Sequence, residues 1–153
     1  MNSVKRIAFA SDHAGFALKS ALMEHVGTRD IDAVDFGTYS KERVDYNEFG
    51  ECACRSVMSG DTDAAVLVCG TGMGMSIMAN KIRGIRCAAV SDPYSSRLSK
   101  MHNNSNALAL GERVVGVELA KMIVDEWLNA QYEPRHQHRL DKISELEERE
   151  RRA

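Results

Sequence analysis

The chain has 153 residues, of which 44% are apolar and 27% charged, and a formal net charge of −2. That length supports one domain with a core of its own, and the composition excludes a disordered or fibrous protein. The absence of a long lysine/arginine block excludes a nucleic-acid footprint, and no apolar stretch approaches the ~20 residues a membrane span needs.

From Met1 the sequence runs into a short apolar segment with no signal-peptide core, so a cytoplasmic protein is expected. Lys5 to Ala10 predicts a strand, Ser11-Asp12-His13-Ala14-Gly15 the turn after it, and Phe16 to Val26 a helix with Ala17, Leu18, Ala21 and Leu22 at helical spacing. Ala33 to Phe36 predicts a second strand, followed by a polar loop from Gly37 to Tyr46 and a helix from about Asn47 to Ser59. Ala64 to Val68 is a continuous apolar run of the kind buried on both faces of a parallel sheet. It runs into Cys69 and a loop with glycines at 70, 72 and 74.

The helix after that loop passes Ala79 and ends between Lys81 and Gly84, where glycine is a natural terminator. Arg86 to Val90 predicts a fourth strand, and Asp92-Pro93 opens a helix that reaches His102-Asn103-Asn104. A fifth strand covers Asn106 to Leu110, and a long amphipathic helix Val114 to Leu128. After a connector containing Pro134, the last helix starts near Arg135. Its Leu140, Ile143 and Leu146 share a face that must pack on its own subunit or on a partner. The repeated strand–helix order predicts an α/β protein: a three-layer Rossmann-like fold with a five-stranded parallel sheet and an extra C-terminal helix, in one domain over residues 1–153.

Open α/β sheets bind ligands beyond the carboxyl ends of their strands. Asp12, His13, Asp45, Tyr46, the Cys69 to Gly74 loop and Arg113 are therefore expected to converge, together with His102-Asn103 after the fourth helix. The glycines allow a tight turn, and the free N–H groups that begin the next helix favour an anion. The spacing is neither the dinucleotide fingerprint nor a P-loop. Arg135 and Arg139, four apart, share one face if helical and can grip a single phosphate. Each group has a plainer reading: Asp12 as a helix N-cap, His102 as a surface histidine, Arg113 as a turn residue, and Met73, Met75 and Met78 as core fillers. Cys52, Cys54 and Cys87 read as structural, and no Cys-x-x-Cys or paired-histidine spacing suggests a metal site. The residues alone point to a phosphate-bearing ligand and a reactive thiol.

In combination, Ser11 to Phe16, Val44-Asp45-Tyr46, Cys69 to Ser76, Ala79-Asn80-Lys81, His102 to Asn106 and Gly111 to Gly116 resemble the type B ribose-5-phosphate isomerases. The resemblance runs from Arg6 to about Glu147. It implies an aldose–ketose isomerase that interconverts D-ribose 5-phosphate and D-ribulose 5-phosphate through a cis-enediolate, in the non-oxidative pentose phosphate pathway, with no metal and no other cofactor. It implies Cys69 as the base that moves a proton between C1 and C2, and backbone N–H groups across Gly70, Gly72, Met73 and Gly74 as the oxyanion hole. Thr71 becomes a proton relay and His102 the acid that opens the furanose ring, helped by Asp45. Asp12, His13 and Tyr46 would line the sugar and phosphate site, Asn103 would bind a sugar hydroxyl, and Arg113, Arg135 and Arg139 would hold the phosphate.

The same resemblance implies a homo-oligomer, dimer or tetramer, whose sites are shared between subunits. Members without the loop cysteine carry a glutamate near the position of Met75, so this chain reads as the cysteine branch. An allose-6-phosphate isomerase, or an enzyme of dual specificity, is the near alternative. A non-catalytic phosphosugar-binding module is the distant one, and Cys69, His102 and Asp45 together count against it.

Overall fold

The computed structural model describes residues 3–153; Met1 and Asn2 of the expected domain lie outside them. The strands are β1 (Arg6–Ser11), β2 (Asp32–Asp35), β3 (Ala64–Cys69), β4 (Cys87–Ala89) and β5 (Ala107–Gly111). The helices are α1 (Phe16–Gly27), α2 (Tyr46–Ser59), α3 (Met73–Ala79), α4 (Pro93–Asn103), α5 (Val117–Asn129) and α6 (Gln137–Arg152). Short 3-10 turns cover His13–Gly15 and Pro134–His136. Every strand pairing is parallel, in the order β2-β1-β3-β5-β4, so the α/β expectation holds. No helix among the described residues is long and apolar enough to cross a membrane.

Strand alternation sorts the core by size. Ile7, Phe9, Val66, Val68, Leu108 and Leu110 face one way, against Leu18 and Leu22 of α1 and Ile123 and Trp127 of α5. Ala8, Ala10, Ala65, Ala107 and Ala109 face the other way with Leu67, against Ala53 and Cys54 of α2 and Met75 and Ala79 of α3. Small side chains on that second face let α2 and α3 approach the sheet closely, which places their N-termini beside the end of β3. From β1 the chain moves outward to β2, and from β3 outward in the opposite direction. The carboxyl ends of β1 and β3 therefore flank the switch point where such sheets bind ligands.

Several element bounds differ from expectation for local reasons. The last helix starts at Gln137, because Pro134 opens a separate 3-10 turn that includes Arg135. α5 starts at Val117, because Gly116 caps it in an extended conformation. Of the expected apolar face of α6, Leu140 is buried, whereas Ile143 and Leu146 are nearly half exposed. Met75 fills the core as expected, but Met73 is exposed.

Candidate active site

Cys69 is the last residue of β3, buried and paired in register with Gly111 of β5. Gly72 adopts φ +82°, a left-handed turn that suits glycine, and its N–H donates to Cys69 Sγ at 3.2 Å. Three close approaches fix the rest of the loop. A Cβ on Gly111 would lie 2.6 Å from the Thr71 carbonyl carbon, one on Gly74 would lie 2.7 Å from Cζ of Tyr46, and one on Gly70 would lie 3.3 Å from Nη1 of Arg113. The loop thus lies flat on the end of β5, with the Tyr46 ring and the Arg113 guanidinium against it. The Arg113 N–H donates to the Gly70 carbonyl at 3.1 Å, and the Glu112 N–H to the Cys69 carbonyl at 3.0 Å. Thr71 is exposed, and its Oγ1 accepts from the Met73 N–H at 3.2 Å.

The end of β1 joins the same cluster. The Asp12 N–H donates to the Val68 carbonyl at 3.3 Å, and the Asp12 carboxylate accepts the Gly15 N–H at 3.0 Å. The plain reading of Asp12 as an N-cap is therefore what its side chain does. His13 Nδ1 lies 3.2 Å from both the nitrogen and the carbonyl oxygen of Val44, so the ring ties the loop before α2 to the site in either tautomer. That contact brings Asp45 alongside, at the N-cap position of α2, exposed and making no cap hydrogen bond. Asp12, His13, Asp45, Tyr46, the Cys69–Gly74 loop and Arg113 form one cluster at the carboxyl edge of the sheet.

His102 and Asn103 do not join it within one chain. They end α4, and the Arg86 side chain, just before β4, donates to the carbonyls of Asn103 at 3.2 Å and Asn104 at 3.0 Å. That position is the amino edge, separated from Gly111 by the length of β5, about 13 Å at ~3.3 Å per residue. The expected convergence fails here for a topological reason: a helix that leaves the carboxyl edge ends at the opposite one. The His102 ring packs 4.5 Å, centroid to centroid, from that of His136. The Glu133 N–H donates to the Met101 carbonyl at 2.9 Å, and the Glu133 carboxylate lies 3.5 Å from His136 Nε2. Arg135 grips the Glu133 carboxylate at 2.6 Å, so it belongs to this cluster, while Arg139 follows in the first turn of α6. The two arginines are thus split between a 3-10 turn and a helix and do not share one helix face.

Electrostatics follow the packing. The hydrogen bond from Arg135 holds the Glu133 carboxyl below its usual range. Burial, reinforced by Arg135, His102 and Arg139, lowers the pKa of His136, and Glu133 opposes that shift. Neither Glu133 nor His136 was marked by sequence pattern; the only signal was a histidine beside Pro134-Arg135. The other thiols are accounted for structurally. Burial pushes Cys54 and Cys87 up to about 12, and Cys52 is exposed on the far side of α2. Asn80, in the Ala79-Asn80-Lys81 motif, pairs with both the N–H and the carbonyl of Cys87 and so finishes the edge of β4.

Against this geometry stand the likenesses to known proteins. The profile of the Ribose/Galactose Isomerase family matches residues 7–143. The chain is 50% identical over 147 residues to ribose-5-phosphate isomerase B of Escherichia coli strain K12, covering 95% of this chain and 99% of that protein. The solved ribose-5-phosphate isomerase B of Clostridium thermocellum superposes with a TM-score of 0.92 at 46% identity, over 94% of this chain and 98% of that one. A ribose-5-phosphate isomerase B from Mycoplasma genitalium, solved with bound ribulose-5-phosphate, gives 0.89 at 36% identity, over 96% of this chain and 99% of that one.

Proposed function

Because the chain belongs to the ribose/galactose isomerase family, we propose that it interconverts D-ribose 5-phosphate and D-ribulose 5-phosphate with Cys69 as the base. One observation carries the assignment: the Cys69 sulfur, at the carboxyl end of a central strand, accepts the Gly72 N–H. That donor holds the sulfur at the mouth of the glycine loop, and the thiolate is the form of cysteine that acts as a base. The thiolate takes the proton from C2 of the open-chain aldose and returns it to C1. Negative charge moves meanwhile onto the sugar oxygens, which face the loop N–H groups of Gly70 to Gly74. Thr71, exposed at the loop tip, carries the proton lost by O2 to O1. Asp12, His13 and Tyr46 line the sugar, and Arg113 over Gly70 holds the phosphate with Arg135 and Arg139 of a second copy, since those two lie with His102 at the other edge. No step calls for a metal or other cofactor.

The ring-opening half of the reaction comes from the other edge. His102 protonates the ring oxygen, Asp45 supports the transfer, and Asn103 holds a hydroxyl; since His102 and Asn103 lie at the amino edge, a second copy supplies them. The enzyme is a cytoplasmic homo-oligomer of single-domain chains. Apolar side chains are available for that contact: Met73 and Ile77 on α3 are more than half exposed, and Ile143 and Leu146 on α6 nearly so.

The test is a paired assay of ribose 5-phosphate and allose 6-phosphate with EDTA present, on the wild-type chain and on Cys69→Ala. Turnover of ribose 5-phosphate that collapses in Cys69→Ala supports the reading. Substantial residual turnover in the variant overturns the thiol base, and preference for the six-carbon sugar reassigns the substrate.

A further inference from the structure

One side-chain cluster joins His102 to two groups, Glu133 and His136, that the isomerase reaction does not use. A ring nitrogen of His102, a carboxylate oxygen of Glu133 and a ring nitrogen of His136 all lie within 4.8 Å of one another. We propose that these three side chains form a binding site for one zinc-like divalent ion, and that its occupancy inhibits the enzyme by withdrawing His102. The inhibitory half rests on the role proposed above for His102; the binding half does not.

Two imidazoles and a carboxylate make a donor set for a borderline d-block ion; magnesium and calcium prefer oxygen alone. Bonds of about 2.0–2.2 Å in a tetrahedral site hold neighbouring donors roughly 3.3–3.6 Å apart. His136 Nε2 and the Glu133 carboxylate already stand 3.5 Å apart. Their alignment has a backbone cause: residues three apart on a 3-10 turn eclipse each other, and Glu133 caps the turn that His136 ends. The bond from the Glu133 N–H to the Met101 carbonyl then fixes that turn against the last turn of α4, one residue from His102.

The second observation is an unsatisfied atom. His136 is only 5% exposed, and its Nε2 has no hydrogen-bond partner, although it points at Glu133 and its ring lies against that of His102. A buried imidazole nitrogen without a partner is costly, and an ion would satisfy it. Arg135 orients the Glu133 carboxylate from outside, as partners of metal-binding carboxylates do. Its charge and that of Arg139 oppose a cation, so the site binds reversibly and plays no part in holding the fold.

Tag-free protein in a Cys69→Ser background, which removes the loop thiol, is titrated with Zn2+ by calorimetry and with Co2+ by visible absorption. The expected result is one ion per chain, no thiolate-to-metal band in the Co2+ spectrum, and affinity at least about tenfold weaker in both Glu133→Gln and His136→Gln. Glu133 is partly exposed and its replacement preserves shape, so it reports on the site even if His136→Gln unfolds. Absence of binding, or unchanged affinity in Glu133→Gln, overturns the site. In the otherwise wild-type enzyme, Zn2+ is expected to inhibit with the midpoint at which it binds, reversed by EDTA. Saturation without inhibition overturns the second half and, with it, the role given to His102.

Discussion

The carboxyl edge of the sheet is shaped by backbone, and the amino edge by side chains. At the first, Gly15, Gly74 and Gly111 each stand where an added Cβ would come within 2.5–2.7 Å of a neighbouring atom, so main chain and one tyrosine ring define the surface. At the second, His102, Glu133, Arg135 and His136 touch through their side chains, on a base where Trp127 Nε1 donates to Ser105 Oγ at 2.7 Å and Ser105 meets Ser99 at 2.8 Å. Backbone donors keep their direction and do not titrate, which suits stabilising a charge that exists only during reaction. Imidazoles change charge near neutrality, which suits ring opening. Neither edge has the full inventory.

The largest effect that would sharpen this contrast is at Cys69. Cys69→Ala is expected to lower kcat by about 10²–10⁴-fold, the range of a lost general base, while the NMR titration of His136 at the other edge stays unchanged. Mixing Cys69→Ala with His102→Ala chains breaks the comparison or confirms it. If dimers pair opposite edges, random exchange restores about a quarter of wild-type turnover, since half the dimers are hybrids with one intact site each. No recovery would mean that the two edges do not complete each other.

Smaller effects probe each edge alone. Gly74→Ala presses on the Tyr46 ring and should cost ~1–3 kcal/mol in urea unfolding, recovered in large part by adding Tyr46→Ala. Trp127→Phe removes the bond to Ser105 and should cost about 1 kcal/mol, leaving the rate of Cys69 alkylation unchanged. The smallest effect is acid dependence. The folded chain holds His136 below the ordinary histidine value of about 6.5, so below that pH the unfolded chain binds the extra proton and stability falls with further acidification. His136→Gln should flatten that limb of the thermal-melt profile.

The carboxyl edge was legible in the sequence because glycines at 70, 72 and 74 after an unbroken apolar strand permit few backbone paths. Its partners at Asp12, His13 and Asp45 follow from the same strand-end rule. The placement of His102 was not legible by that rule, since a residue that closes a helix lies at the opposite edge from one that follows a strand. Strand order was equally hidden: the local pattern of β4 and β5 does not say that β5 sits inside β4. The expected fourth strand, Arg86 to Val90, shortens to Cys87–Ala89 because an edge strand has one neighbour and Asn80 occupies its other side. Glu133 and His136 gain meaning only through a long-range bond to Met101.

The central position of β5 also orders events during synthesis. β5 is the last strand to be made, yet it lies between β3 and β4, and residues just beyond it hold the carbonyls of Cys69 and Gly70. Domains begin to fold from the N-terminus as the chain emerges. A nascent chain can therefore pair β1 with β2 and β3 while the Cys69 loop still lacks its support. The thiol is expected to react with an alkylating agent in ribosome-bound chains that end before residue 107, and to become protected once residue 113 has emerged. Equal protection in both would show that the loop forms without β5.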